Sequence, residues 1–286
     1  DSKLWYLTPE QAQAYLDLED TENFKKLASN AEFELLKNNM GSIQEVLGEK
    51  PVNIVDLGCG DGKKAAYVFE KLKNKKVRYC PIDISGYMVQ KAMETFQGLN
   101  VDEIIEFQYN ISDFENLENI TPLLVNKDYK KNLFLLLGYT LGNFEINEIL
   151  YEIKSAMRDD DVLVIVSGVG SEKWEKWVET VKEDKKIKMN SFLINIPLQI
   201  GLNKEDVEFG ARFRNSRVEY YYTIKTDKTV EFQNKKMSFQ EGDQIIVAVA
   251  YKHNKEDLQG VLNMYFTKVD MNRSEDKTTI LAICKK

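Results

Sequence analysis

The sequence lacks long hydrophobic runs, and this absence excludes the simplest membrane classes. No apolar stretch among its 286 residues approaches the roughly 20 that a membrane-spanning helix needs. The N-terminal segment DSKLWYLTPEQ has no basic stretch followed by an apolar one, so it shows no secretory signal. We therefore expect a soluble protein with no membrane partner.

Cysteine and basic charge are also scarce. Cys59, Cys80 and Cys284 have no metal-type spacing, which fits a reducing cytoplasm, and the first two lie in apolar segments where buried, inert thiols are expected. The 39 Lys and Arg residues are outnumbered by 46 Asp and Glu residues, giving a net charge of −7. Because phosphate-binding proteins usually carry a positive face, we expect no nucleic-acid partner. The oligomeric state is left open between monomer and dimer.

What is present after residue 50 is an alternation of apolar runs and amphipathic segments. The apolar runs are VNIVDLG (52–58), VRYCPIDI (77–84), IIEFQYNI (104–111), NLFLLLG (132–138) and VLVIVSGV (162–169). These runs lack the apolar/polar alternation of half-exposed strands, which is typical of parallel strands covered by helices on both faces. The pattern predicts an α/β fold with a doubly wound, Rossmann-like sheet.

The flanking regions differ from this central part. Residues 1–50 have helical composition, whereas 217–227, 228–233 and 243–253 are aromatic and β-rich, as in antiparallel strands. We predict a final β-pair, 262–272 with 278–286, that returns to the main sheet.

Two domains are predicted from these patterns. Residues 26–186 plus 249–286 form the main α/β domain, and residues 1–25 plus 187–248 form a smaller, β-rich domain that binds the acceptor or acts as a lid.

The segment VDLGCGDGKK is the main chemical motif. Gly58, Gly60 and Gly62 follow a strand and open a helix, where a tight turn and close approach of a ligand to the backbone require glycine. Asp56 ends the preceding strand and Asp83, followed by Ile84, ends the next, where this fold hydrogen-bonds ribose hydroxyls. The alternative is a structural turn without a ligand.

The glycine spacing distinguishes between cofactors. Dinucleotide sites use G-x-G-x-x-G, but Lys63 stands here where the third glycine would be, and we count Lys63 among the candidate cofactor-binding residues. Asp56 would repel a pyrophosphate, whereas it suits the cationic amino-acid end of S-adenosylmethionine. The sequence therefore predicts S-adenosylmethionine, and it disfavours an NAD-binding oxidoreductase.

Two further motifs follow the third and fourth predicted strands. In SDF, Asp113 is placed to accept the adenine amino group and Phe114 to contact the base; a helix N-cap is the alternative. In LLLGYTLGNFE, Gly138 and Asn143 reach the sheet edge where ligands of such folds bind. Asn143 offers both a donor and an acceptor, and its alternative role is also a helix cap.

These motifs in this order, with YCPIDIS between them, resemble the class I S-adenosylmethionine-dependent methyltransferases. More narrowly, LGYTLGNFE is similar to a run of the histidine-specific N-methyltransferases of the ergothioneine pathway, and the resemblance is clear over about residues 50–170. It implies a set of binding positions: Gly58, Asp83, Asp113 and Phe114 for the cofactor, and Tyr6 and Asn143 for the acceptor.

One departure from that family concerns the acceptor. The resemblance implies a Glu-x-Ser that grips the imidazole, but Ala248 and Ala250 stand at those positions. A site built for hydrogen bonds discriminates by ~10⁴-fold or more when a partner group is missing. We therefore expect an acceptor other than free histidine.

Methyl transfer from a sulfonium is an in-line displacement that requires no metal, so no metal is expected. The enzyme must hold an unprotonated nucleophile about 3 Å from the methyl carbon. Asn143, Tyr139 and Tyr6 are the candidates for orienting the acceptor, with core packing as the alternative for Tyr139. The tyrosines at 220–222 suit either a strand with alternate rings in the core or a cation–π pocket.

The sequence thus predicts a cytoplasmic S-adenosylmethionine-dependent methyltransferase that acts on a small amine or amino-acid-like acceptor. The alternatives are a small-molecule O-methyltransferase and a non-catalytic, cofactor-binding regulatory domain.

Overall fold

The computed structural model of the protein describes residues 5–6, 8–22, 25, 29–72, 75–114, 117–170, 178, 186–232 and 234–286. The strands of the central sheet are β1 Val52–Leu57, β2 Val77–Ile82, β3 Glu103–Ile104, β4 Lys131–Leu136, β5 Val162–Gly168, β11 Lys268–Arg273 and β12 Thr279–Lys285. They lie in the order β11-β12-β5-β4-β1-β2-β3. The first five strands are parallel, and β12 and β11 are each antiparallel to their neighbours. The predicted doubly wound α/β fold is confirmed.

Helices cover both faces of this sheet. The helices are α1 Pro9–Glu19, α2 Asn30–Leu47, α3 Lys63–Lys71, α4 Gly86–Gln97, α5 Leu117–Leu124, α6 Ile146–Ala156, α7 Lys186–Leu193, α8 Asn195–Gln199 and α9 Lys255–Tyr265. Apolar side chains of α2, α3 and α4 pack on one face, and those of α5, α6 and α9 pack on the other. Every residue of β1 and β2 is therefore buried. Within the described ranges, no helix is long and apolar enough to cross a membrane.

A smaller β-rich region follows the fifth strand. Its strands are β6 Val207–Arg214, β7 Arg217–Ile224, β8 Lys228–Phe232, β9 Lys235–Phe239 and β10 Gln244–Tyr251. They form an antiparallel sheet in the order β10-β7-β6 and a separate β8–β9 hairpin. This region has its own hydrophobic cluster, which also includes Trp5 near the N-terminus. The two-domain division of the chain remains a prediction.

The tyrosines of β7 follow the strand alternative. Tyr220 and Tyr222 are buried in the cluster of the β-rich region. Tyr221 faces the other side, where the Arg212 guanidinium lies 4.8 Å from its ring centroid. The alternation of a strand thus places two of the three rings in a core.

The third predicted strand is wrong in extent. The pattern over 104–111 predicts a full strand, but β3 has two residues, Glu103–Ile104, and a 3₁₀ helix, Gln108–Asn110, interrupts the remainder. Pro81 of β2 has no N–H to donate to a longer partner strand. The Asn110 side chain instead donates to the Pro81 carbonyl at 2.7 Å.

The predicted strand over 262–272 is also partly wrong. Its first four residues belong to α9, and only Lys268–Arg273 is a strand. Asn254 caps α9 by accepting from the Asp257 backbone N–H at 2.7 Å, and Leu258 and Leu262 are buried one turn apart. Helical spacing of these leucines therefore decides the structure of this segment.

Candidate active site

A cavity of about 880 Å³, counting its open mouth, lies at the carboxyl ends of β1, β2 and β4. The predicted strand-end positions Asp56, Asp83, Ile84 and Asp113 line it. So do Gly58, Gly60, Gly138 and Phe114. The edge of the sheet thus brings predicted site residues that are far apart in the sequence, from Asp56 to Gly138, together around one cavity.

The glycine loop, residues 58–62, contributes to the lining of this cavity. Gly60 has a φ of +53°, and a side chain added there would point into open space, so a ligand can approach its backbone. Gly62 has a different role, because its Cβ would lie 3.0 Å from the Ala92 Cα on α4. It is not among the described residues that line the cavity. Gly62 therefore permits close packing of helices rather than contact with a ligand.

Asp83 is held by backbone hydrogen bonds. Its two carboxylate oxygens accept from the N–H of Gly60 at 3.2 Å and of Ser85 at 3.0 Å. Burial raises the pKa of Asp83 to about 6, and these hydrogen bonds partly oppose the shift. The carboxylate is therefore fixed at the cavity and largely ionised at neutral pH.

Asp56 is the second buried carboxylate of the site. The Tyr79 hydroxyl donates to Asp56 Oδ2 at 2.8 Å. Burial raises the pKa of Asp56 to about 7, against the opposing effects of this hydrogen bond and of the Lys64 charge. A cation bound beside Asp56 would stabilise its ionised form.

The SDF segment supplies a buried hydroxyl to the cavity. Ser112 Oγ is buried at the cavity and has no hydrogen-bond partner among the described residues. Phe114 adopts a φ of +75°, and its ring centroid lies 5.5 Å from that of Phe144. A buried hydroxyl without a partner indicates a ligand atom or a water molecule. The Ser112 hydroxyl, the accessible Gly60 backbone and the carboxylates of Asp56 and Asp83 together suit a nucleoside that carries a positively charged group.

The three acceptor candidates do not lie together. Tyr6 and Asn143 line the cavity. Tyr139 is not among its described lining residues, and its hydroxyl lies 2.8 Å from Thr279 Oγ1. This placement, beside β12 rather than the cavity, does not favour the acceptor role predicted for Tyr139.

The sequence analysis selected Lys63, but the structure places its neighbour in the cavity. The Lys63 ammonium is exposed and lies 2.6 Å from Asp61 Oδ2. Lys64 lines the cavity, 3.0 Å from Glu19 Oε1 and 3.7 Å from Glu32 Oε2. Consecutive helix residues point about 100° apart, so the first turn of α3 decides which lysine faces inward.

The sequence analysis also missed lining residues from α1. Tyr15 and Glu19 reach the cavity from this helix, which begins with a Thr8 capping box. The rings of Tyr6 and Tyr15 meet edge to face, with centroids 5.2 Å apart. Thr8, Pro9 and Gln11 predict a helix start, but no local pattern shows which face of it meets the sheet edge.

The alanines at the altered family positions lie on β10. Ala248 is buried opposite Tyr220, and Ala250 pairs with Val218. Neither alanine lines the cavity among the described residues. The end of β10 approaches the Thr140–Asn143 turn, because a Cβ on Gly142 would lie 3.0 Å from the Tyr251 carbonyl oxygen.

Several solved structures are similar to this chain at low identity. An S-adenosylmethionine-dependent methyltransferase from Clostridium acetobutylicum ATCC 824 is 12% identical with a TM-score of 0.47, over 95% of this chain and 97% of that chain. The PH0226 protein of Pyrococcus horikoshii OT3 is 12% identical with a TM-score of 0.48, over 93% of each chain. The 1,6-didemethyltoxoflavin-N1-methyltransferase of Burkholderia thailandensis is 12% identical with a TM-score of 0.45, over 96% of this chain and 84% of that chain.

None of the curated proteins matches the sequence. The family model described as "Histidine-specific methyltransferase, SAM-dependent" matches residues 27–285, which is nearly the whole chain. The chain therefore belongs to the family of histidine-specific, S-adenosylmethionine-dependent methyltransferases.

Proposed function

We propose that this methyltransferase acts on the nitrogen of a small amine or amino-acid-like acceptor other than free histidine. The charge of the cavity carries the proposal. Its described lining has five carboxylates and one lysine: Glu19, Asp56, Asp61, Asp83, Asp113 and Lys64. An acidic cleft concentrates cations and disfavours anions, so an amine suits it better than the carboxylate acceptor of an O-methyltransferase.

The cofactor positions follow from the same lining. S-adenosylmethionine supplies a methyl group on a cationic sulfur, which is already activated for displacement. We assign Asp83 to the ribose hydroxyls, Asp113 and Ser112 to the adenine, and Asp56 and Lys64 to the two charged groups of the amino-acid end. Each side chain then meets a group of complementary charge or hydrogen-bonding capacity.

The acceptor side is assigned to Asn143 and Tyr6. Asn143 orients the acceptor through its amide, and Tyr6 walls the space beside it. Burial and the neighbouring carboxylates of Asp83 and Glu19 raise the pKa of Tyr6, so its phenol stays protonated at neutral pH. Tyr6 thus acts as a neutral hydrogen-bonding group, and the acceptor amine reacts in its unprotonated form.

Exclusion of histidine rests on Ala248 and Ala250. The family resemblance implies a Glu-x-Ser that pairs with both imidazole nitrogens, and with alanines at these positions of β10, outside the described lining of the cavity, the chain supplies neither of those two groups. An imidazole then loses its hydrogen bonds on transfer from water, which costs more than an apolar acceptor group would lose.

The test is a transfer assay with isotope-labelled S-adenosylmethionine and a panel of amino acids, biogenic amines, small carboxylates and hydroxyl compounds. Mass spectrometry should detect a labelled methyl group on one or more amines and none on histidine. Asp83→Ala is the control that should lose transfer through weak cofactor binding. Trimethylation of histidine, or labelling confined to carboxylates or hydroxyls, would contradict the proposal.

A further inference from the structure

An ion pair between Glu19 of α1 and Lys64 of α3 lies in the lining of the cavity. Lys64 Nζ lies 3.0 Å from Glu19 Oε1, with the two side chains 20% and 17% exposed. Tyr15 and Glu19 are four residues apart on α1, so they lie on the same face of the helix. Both line the cavity. Glu19 therefore occupies space within the site rather than on the outer surface.

Lys64 has a second carboxylate neighbour that is far less free to move. The Glu32 side chain is only 1% exposed, and its Oε2 lies 3.7 Å from Lys64 Nζ. Its other oxygen accepts from the Gly138 backbone N–H at 2.7 Å. Glu32 thus belongs to the buried interior of the fold, between α2 and the turn that follows β4.

The contacts that hold Glu19 differ from those that hold Glu32. Glu19 is the last residue of α1. This helix contacts α4 through side chains such as Gln13, and Gln13 Oε1 accepts a hydrogen bond from the Tyr87 hydroxyl at 2.6 Å. Among the described residues, the Glu19 carboxylate accepts from Lys64 Nζ and from no backbone N–H, whereas Glu32 is fixed by the Gly138 N–H. Of the two carboxylates beside Lys64, Glu19 is therefore the one that a stronger partner can replace.

We infer that Glu19 is an exchangeable counter-ion: it neutralises Lys64 in the empty enzyme, yields Lys64 to the carboxylate of the bound cofactor, and then faces the acceptor amine. The inference rests on the proposed function, because it takes Lys64 as the partner of the cofactor's carboxylate. Three carboxylates around one ammonium would repel one another, so the mobile one must leave.

The surroundings of the released Glu19 suit a cation. The rings of Tyr6 and Tyr15 stand beside it, with Phe192 5.7 Å and 5.6 Å from their centroids. Aromatic faces and a carboxylate together bind ammonium groups. Glu19 therefore becomes available to the acceptor only when the cofactor is bound, which makes the two ligands bind cooperatively with the cofactor first.

The first arm of the test separates the two ends of the cofactor. S-adenosylhomocysteine and 5′-methylthioadenosine, which lacks the amino-acid end, are titrated into the enzyme by calorimetry. Glu19→Gln and Glu19→Ala should bind S-adenosylhomocysteine about three- to tenfold more tightly than wild type, because a competing carboxylate is removed. Affinity for 5′-methylthioadenosine should stay within about twofold, as it should for both ligands in the control Asp17→Asn, an exposed acid of the same helix.

The second arm measures the cooperativity with tetramethylammonium as the cation probe. In wild type, saturating S-adenosylhomocysteine should tighten tetramethylammonium binding by about fivefold or more, whereas Glu19→Gln should show no such coupling.

Weaker S-adenosylhomocysteine binding in both Glu19 variants would overturn the inference, because Glu19 would then hold the cofactor's ammonium. An equal gain for 5′-methylthioadenosine would also overturn it. If neither nucleoside binds wild type, the proposed function fails; if both bind and only the gain is missing, the exchange alone fails.

Discussion

The two walls of the cavity are built in different ways. The sheet wall, formed by Asp56, Gly60, Asp83 and Asp113, comes from strand ends and the glycine loop, and backbone groups hold the Asp83 carboxylate. The helix wall, formed by Tyr6, Tyr15 and Glu19, is held by ring contacts and an ion pair. The strands, together with main-chain hydrogen bonds to Asp83 and the Tyr79 hydroxyl on Asp56, fix the position of the first wall, whereas ring contacts and an ion pair leave the second adjustable.

This difference suits the two ligands, the cofactor and the acceptor. A cofactor common to a large enzyme class needs the same fixed groups each time, which the edge of a parallel sheet provides. Acceptors vary, and a wall made of side chains on α1 and the segment before it can change without disturbing the sheet. We therefore expect substitutions in the sheet wall to affect cofactor binding directly and those in the helix wall to affect the acceptor, with Glu19 changing cofactor affinity only through its ion pair with Lys64.

The largest expected effect comes from Asp83→Ala in the sheet wall. Removing this carboxylate deletes charge-assisted hydrogen bonds to the ribose, so S-adenosylhomocysteine binding should weaken by about 1–3 kcal/mol, or roughly 5- to 150-fold. Calorimetry measures the loss directly, and NAD should not bind to wild type or variant.

Glu94→Ala is the matched control, because it removes an exposed acid that pairs with Lys91 on α4. It should leave the affinity unchanged. Tight NAD binding, or indifference of S-adenosylhomocysteine to the loss of Asp83, would remove the cofactor assignment and with it the distinction between the walls.

A smaller effect is expected from Tyr6→Phe in the helix wall. The ring and its contact with Tyr15 are retained, and only the hydroxyl is lost. We expect kcat/KM for the amine acceptor to fall by about two- to tenfold, the equivalent of one neutral hydrogen bond. Affinity for S-adenosylhomocysteine should change by less than about twofold.

Tyr151→Phe, which removes a hydroxyl from an exposed ring on α6, is the control for this variant. Asp83 is close enough to raise the pKa of Tyr6, so a strong loss of S-adenosylhomocysteine affinity is the informative contrary result. It would show that the helix wall reaches the cofactor.

The same contrast explains what the sequence could predict. Asp56, Asp83, Asp113 and Asn143 follow recognisable strands, and the carboxyl ends of parallel strands meet at one edge, so local motifs were enough to bring them together. Glu19 reaches the same cavity from a helix 37 residues before Asp56 in the chain. Its position depends on how α1 packs against α7 and α4, which no local pattern encodes.

Finer errors have local causes. The choice between Lys63 and Lys64 depends on one helical step, and a Lys-Lys pair at a helix start does not settle it. The shortened third strand follows from a proline in its neighbour, which the apolar pattern of 104–111 did not reveal. Gly62 belongs to the motif by spacing, yet it serves the contact between α3 and α4.

The smallest predicted effect is the pH dependence of 5′-methylthioadenosine binding, which belongs to the sheet wall. Burial raises the pKa of Asp83 to about 6 and that of Asp56 to about 7. Both groups bind their ligands as carboxylates, so affinity should rise with pH and level off above about pH 8, where both are ionised in the empty enzyme. Below pH 7 for Asp56, and below pH 6 for Asp83, the carboxyl group is mostly protonated in the empty enzyme. It must then lose this proton when the ligand binds, which weakens the complex.

The two nucleoside ligands separate these contributions. Of these two carboxylates, 5′-methylthioadenosine meets only Asp83, and it should bind about twofold more weakly at pH 6 than at pH 8, because about half of that carboxyl is then protonated. S-adenosylhomocysteine should lose more, since Asp56 faces its ammonium. In Asp83→Asn the 5′-methylthioadenosine profile should be flat. A loss of about tenfold for 5′-methylthioadenosine between pH 8 and pH 6, in place of twofold, would reverse the assignment of the two carboxylates, because it would mean that Asp56, with its pKa of about 7, faces the nucleoside rather than Asp83.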